Sequence, residues 1–227
     1  MSGASWASPR LQALDALVEA VLPRDDLSHD MHHVRRVAAW AARLAPELGA
    51  DPEQAVAAGL CHDLDPTAKE GPDRSAGGAR AAAAAPALLR AAGFEDDALQ
   101  AICAAISTCS WSAGAAPAGP LGAALQDADR LDAIGALGIA RNMACAAVMH
   151  TRSGQGALVH PSDPAGHGRP LDDRRFAADH YPIKLLRLAN RMHSPTAQAE
   201  ADRRHARLLA FYADLLDEAA DGQPGAV

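Results

Sequence analysis

The sequence predicts an all-α protein folded as a single-domain helical bundle. Alanine dominates a chain of 227 residues that is 49% hydrophobic but only 4% aromatic, and apolar residues recur at helical spacing along most of its length without β-branched runs. A chain of this length buries a substantial core.

The elements follow in order. Leu11, Leu14, Leu17, Val18 and Val21 define a first helix over residues 10–22, ended by Pro23. Met31, Val34, Val37, Ala38, Ala41 and Leu44 define a second over 29–44, stopped near Pro46. Asp51 as N-cap and Pro52 in the first turn open a third that runs to Leu64 and carries His62 and Asp63 at its C-terminal end. The turn-rich stretch 65–72 is a loop with Lys69 on it.

A fourth helix is expected over 75–92, interrupted or kinked at Pro86 and stopped by Gly93, and a fifth over 95–109. The Gly, Ala and Pro of 112–120 make a connection. Helical patterns over 121–131 and 132–149 place Asp129 near their junction. Residues 151–170 form a long loop, either a lid or a mobile connection, whose His160 and His167 read as solvated. Two closing helices are expected over 172–191 and 196–220, and residues 217–227 as a disordered tail.

The formal net charge is −7 with no basic block, which argues against a nucleic-acid polymer as partner. No apolar stretch is long enough to span a bilayer and no leader pattern opens the chain. Cys61, Cys103, Cys109 and Cys145 form no CxxC pair, so the expectation is a cytoplasmic protein with reduced thiols.

His33, the doublet His62-Asp63, and Asp129 in Asp127-Ala128-Asp129-Arg130-Leu131 sit in or beside three separate helices. Two imidazoles and two carboxylates make a borderline N/O shell suited to divalent Mn, Fe, Ni, Co or Zn. Such an ion keeps positions for water and a substrate oxygen, and bound water becomes a nucleophile near neutral pH. His-Asp pairs also arise by chance, as His29-Asp30 illustrates, and His29 shares a helix face with His33. Asp127, two residues from Asp129, points elsewhere on its helix and reads as a cap or as support behind the ligand.

Three segments, His29-Asp30-Met31-His32-His33-Val34-Arg35-Arg36-Val37, Ala57-Ala58-Gly59-Leu60-Cys61-His62-Asp63 and Asp127 to Gly135, resemble the HD-domain metal-dependent phosphohydrolase superfamily. Within it the chain is similar to the bacterial YedJ/YpgQ-type branch, through Arg169-Pro170-Leu171-Asp172-Asp173 and Asp179-His180-Tyr181 with Lys184-Leu185-Leu186. The resemblance covers residues 27–216, which it marks as the hydrolase domain, leaving 1–26 as an N-terminal segment with the first helix.

That resemblance implies that His33, His62, Asp63 and Asp129 hold one divalent metal ion, with manganese expected and magnesium, nickel, cobalt, iron or zinc as alternatives. It favours His33 over His29, because the family's ligand precedes the pair Arg36-Val37 by three residues. It implies hydrolysis of a small phosphorylated molecule by metal-activated water, with a nucleotide as the leading substrate and a pyrophosphohydrolase or nucleotidase outcome. Asp63, Lys69 and Lys184 are the expected catalytic groups, and Arg36, Lys69, Arg130, His180, Tyr181 and Lys184 the expected substrate contacts.

The two lysines are the only ones in the chain, and lysine is a compact point charge suited to phosphate. For Arg36, Arg130 and Arg141 a solvated helix arginine is an equal reading. Trp111 or Tyr181 offers a ring to stack on a base, and Trp111 fits a core position as well. A homodimer is compatible with all of this.

The chain departs from the family in its fifth helix, where a histidine is usual and this sequence has Ala104 and then Cys109-Ser110-Trp111-Ser112. No histidine lies between His62 and His150, so the expected site is mononuclear. The alternative expectation is a metal- and ligand-binding regulatory protein without turnover.

Overall fold

The computed structural model describes residues 6–22, 28–65 and 74–221. Their backbone forms two compact units. One comprises 6–22, 29–65, 74–129 and 193–197, and the other residue 28, 130–192 and 198–221. Among the described residues the regular structure is helical, apart from one isolated bridge between Ala157 and Phe176.

The first unit is built from α1 (Pro9–Val21), α2 (Met31–Leu48), α3 (Pro52–Cys61), α4 (Gly77–Ala91), α5 (Asp96–Ser107) and most of α6 (Gly119–Asp132). Its core takes Leu14, Val34, Val37 and Leu44 from the stripes expected on α1 and α2, together with Leu60, Leu89, Ile102 and Ile106, whereas Val21 of the expected α1 stripe is exposed. Asp51 caps α3 by accepting the Gln54 N–H at 2.8 Å. Arg35 of α2 grips Asp15 of α1 through two bonds, at 2.9 and 2.5 Å. The carboxylates of Asp15 and Glu19 hold that guanidinium's pKa above its ordinary value, against the effect of burial.

Two proline expectations are corrected. Pro46 does not stop α2, which continues to Leu48 and turns at Gly49 with φ 79°. The stop belongs to the glycine, because the Ala50 N–H closes on the Ala45 carbonyl at 2.8 Å only when the intervening residue is left-handed. Pro86 lies within an unbroken α4, whose buried face of Ala81, Ala85 and Leu89 offsets the one backbone bond proline removes.

The second unit holds α7 (Gly135–Ser153), a run of short turns, α8 (Leu186–Leu188) and most of α9 (Pro195–Asp221). The single helix expected over 172–191 is instead a 3-10 turn at Ala177–Asp179, a π-helical turn at Tyr181–Leu185, α8, and a 3-10 turn at Ala189–Arg191. Pro182 has no N–H to give an α-helical bond there. Arg169 and the Asp172 N–H both bind the buried Asp179, at 2.6 to 2.7 Å, which fixes the chain ahead of the turn. The loop expected from 151 begins only after α7 ends at Ser153, and it is tied to this segment by Ala157 N–H to Arg175 O and Ala178 N–H to Leu158 O, both 2.9 Å. α9 continues to Asp221, so the segment expected as tail from 217 is helical to that point. No single helix among the described residues is long and apolar enough to cross a membrane.

Candidate metal centre

α2 and α3 lie backbone to backbone. A Cβ on Gly59 would meet the Ala38 Cα at 2.4 Å, so only glycine permits this approach. The contact brings His33, one turn into α2, against His62, the residue that closes α3. Asp30 accepts the His33 N–H at 2.8 Å, which anchors the first turn of α2.

The His33 and His62 Nε2 atoms are 3.2 Å apart. Asp63 Oδ2 lies 3.4 Å from His33 Nε2 and 3.7 Å from His62 Nε2, and Asp129 Oδ1 lies 3.8 Å from each. Cis ligands about 2.1 Å from a common ion sit roughly 3 Å apart, so the donor set fits a divalent cation. His33, His62 and Asp129 are the group of potential ligands found among the described residues, with their donor atoms within 4.8 Å of one another; the expected fourth ligand Asp63, though 3.4 and 3.7 Å from the two imidazoles, is outside that group.

The tautomer of His62 is set by its Nδ1, 2.7 Å from the Gly59 carbonyl. Nδ1 therefore carries the proton and donates, leaving the Nε2 lone pair for a metal. Burial pushes the His62 imidazole below its ordinary pKa and outweighs the opposing pull of Asp63 and Asp129. A neutral imidazole is the form that ligates. The side chains of His33 and His62 are 1% and 4% exposed, whereas Asp63 and Asp129 are 13% and 28% exposed. The imidazoles thus form the buried side of the cluster and the carboxylates its more exposed side.

His29 meets His33 edge-on with ring centroids 6.1 Å apart and is outside the ligand group. Asp127 is wholly buried and accepts the N–H groups of His193 and Ser194 at 2.8 and 2.9 Å, capping the start of α9. Lys69 lies outside the described residues. Arg36 is half-buried in the first unit, which also carries His33, His62, Asp63 and Asp129.

Arg130, His180, Tyr181 and Lys184 belong to the second unit. Arg130 donates to the Arg191 carbonyl, and His180 Nδ1 pairs with Asp173 Oδ2 at 2.8 Å. Tyr181 is completely buried, stacked on Tyr212 with centroids 4.9 Å apart, so its ring is a packing surface rather than a platform for a base. Arg141, ambiguous in sequence, pairs with the buried Asp132 at 3.1 Å and donates to the Ser28 carbonyl at 2.7 Å.

Sequence reasoning passed over Asp65. Its buried carboxylate takes two bonds from Arg80 of α4, at 3.0 and 2.8 Å, fixing the chain just after the His-Asp doublet. The available signal was a second acidic residue two positions beyond Asp63 at the end of an apolar run. Cys109, buried at the end of α5, occupies the place expected for the family's histidine.

An all-helical fold with paired histidines and carboxylates from α2, α3 and α6 defines an HD-type metal centre. The HD domain family profile matches residues 31–134. The chain is 32% identical over 202 residues to the uncharacterized protein YpgQ of Bacillus subtilis, covering 87% of this chain and 88% of that one. This chain belongs to the HD-domain family.

Among solved structures, one from Lactobacillus plantarum superposes with a TM-score of 0.74 at 30% identity, covering 95% of this chain and 99% of that one. B. subtilis YpgQ in complex with ADP superposes at 0.67 with 28% identity, covering 92% and 97%. An HD-superfamily hydrolase of Bacillus thuringiensis superposes at 0.63 with 25% identity, covering 94% and 98%. The all-α, single-domain HD fold expected from sequence is the fold of this chain.

Proposed function

We propose that the protein is a metal-dependent phosphohydrolase acting on a nucleotide, with residues 27–216 as the hydrolase domain. The observation that carries this is the convergence of His33 and His62 Nε2 within 3.2 Å, with Asp63 and Asp129 on the more exposed side. The complex of the relative YpgQ with ADP supports a nucleoside phosphate as ligand.

When bound, a divalent ion supplies Lewis acidity and lowers the pKa of a coordinated water. His33 and His62, buried, and Asp63 and Asp129, more exposed, are the side chains that would hold such an ion. Asp63 is placed to orient the attacking water, and Arg36 offsets phosphate charge in the transition state. The phosphate-binding and catalytic roles expected for Lys69, Lys184, Arg130 and His180 are part of this reading, and alanine substitution at each reads them in the same assay.

The test is phosphorus NMR of purified protein with manganese and a pool of nucleoside mono-, di- and triphosphates. Pyrophosphate release identifies a pyrophosphohydrolase, and orthophosphate release a phosphatase or nucleotidase. An unchanged pool sinks the hydrolytic reading in favour of metal and ligand binding without turnover, which the cysteine at position 109 would then explain.

A further inference from the structure

The segment entering α9 carries an imidazole outside the ligand set. His193 is exposed. Its backbone N–H donates to Asp127 Oδ1 at 2.8 Å, and the adjacent Ser194 N–H donates to Asp127 Oδ2 at 2.9 Å. The buried Gln126, next to Asp127 in α6, donates its amide NH2 to the Thr108 carbonyl at 2.7 Å and the Ala115 carbonyl at 3.2 Å. With the amide nitrogen so engaged, Oε1 is the acceptor, and His193 Nε2 lies 3.0 Å from it. Nε2 therefore carries a proton. Two consecutive residues of α6 thus hold this one histidine, by its backbone and by its ring.

Gln126 and the ligand Asp129 stand at i and i+3, so they are neighbours on one face of α6 with Cβ atoms about 5–6 Å apart. The anchor of the His193 ring is one helical turn from the metal centre. A buried amide is costly to place unless all its bonds are made, and here part of its bonding capacity orients a ring that is itself exposed. An exposed ring held in this way contributes little to the core and is presented to solutes.

We propose that His193 is a substrate-contacting residue of the metal centre, positioned by Gln126 to bind phosphate oxygens of the nucleoside phosphate chain one turn along α6 from the metal-held group. This rests on the reading that the centre takes a phosphorylated substrate. Because the Nε2–H is held by Gln126, the contact is made by the Nδ1–H of the imidazolium that forms as the anionic oxygen binds, a charge-assisted bond stronger than a neutral one.

The test uses the full-length, manganese-loaded protein and ADP as the calorimetric probe, with metal content measured alongside and KM and kcat taken on whichever nucleotide turns over. Because the ring is exposed and Asp127 keeps the backbone bond, His193→Ala is expected to fold and retain metal. Its ADP affinity should fall about tenfold, with KM rising more than kcat falls. His193→Gln, which supplies an N–H donor without the charge, should recover part of the affinity.

Wild-type ADP affinity and KM in His193→Ala would overturn the proposal while leaving hydrolysis intact. ADP binding without turnover in the wild-type protein, weakened by His193→Ala, would overturn the hydrolytic reading and support His193. A wild-type protein that binds no ADP overturns both.

Discussion

Gly59 of α3 lies directly on Ala38 of α2, so close that a Cβ would stand 2.4 Å from the Ala38 Cα and 2.7 Å from its backbone nitrogen. The obstacle is backbone rather than a flexible side chain, so it yields only if the two helices separate. Those helices deliver His33 and His62, and the 3.2 Å between their Nε2 atoms depends on the approach. Gly59→Ala should therefore destabilise the fold by about 1–3 kcal/mol and weaken metal retention as well. Urea unfolding and metal analysis of the same preparation check this, and a stable variant with full metal content would show that the helices are not coupled to the site.

Asp129 and Asp127 lie two residues apart, the one beside the imidazoles of the candidate metal centre and the other on the N–H groups that open α9. Asp129→Ala removes an oxygen from the half-exposed side of the centre and should lose bound metal while the metal-free protein keeps its unfolding midpoint. Asp127→Ala leaves the buried N–H groups of His193 and Ser194 without their acceptor. It should cost about 2 kcal/mol of stability yet retain metal when folded. Metal lost from the second variant at a temperature where it is folded would reverse the assignment.

These two aspartates mark how far the sequence was legible. Helical periodicity on α6 put the two carboxylates on different faces, whereas it was the family resemblance, not spacing, that singled out His33 over His29. What periodicity does not carry is the partner of a buried charge. Asp127 meets a segment that follows it by 66 residues, and Asp65 meets Arg80, 15 positions further on. Pro46 and Pro86 misled for a related reason: proline removes one local bond, whereas the packing that retains the helix is tertiary. The turns between Ala177 and Arg191 follow from the Arg169 and Asp179 pairing, which no local pattern announces.

The Asp65 carboxylate is 1% exposed and its ionic partner is Arg80. Arg80→Ala should cost about 3 kcal/mol, because the remaining carboxylate is buried without its countercharge. The double change Arg80→Met with Asp65→Leu should restore much of that loss. Thermal unfolding of the single and double variants decides the matter, and additive losses would mean that the pair is not coupled.

Metal linkage should be visible without any substrate. An ion that binds only the folded protein stabilises it by about 2.7 kcal/mol at a hundred times its Kd, so chelation should lower Tm and manganese should restore it. Asp63→Ala and His62→Ala should abolish the manganese-dependent shift, whereas His29→Ala should leave it whole. A shift that survives in His62→Ala would place the stabilising ion elsewhere.

Cys109 offers the last test, because the family resemblance leads one to expect a histidine there. Its side chain is buried at the end of α5, and the neighbouring Thr108 carbonyl accepts a hydrogen bond from Gln126. A thiol in that setting is a small packing group rather than a nucleophile. Cys109→Ser should therefore preserve both metal content and turnover, with a modest loss of stability from burying a hydroxyl. Cys109→His adds volume to a filled position and should destabilise the protein by about 1–3 kcal/mol. If the serine variant keeps its metal but loses turnover, the thiol itself takes part in the chemistry. If the histidine variant gains turnover that the wild-type protein lacks, then the cysteine is what silences the site.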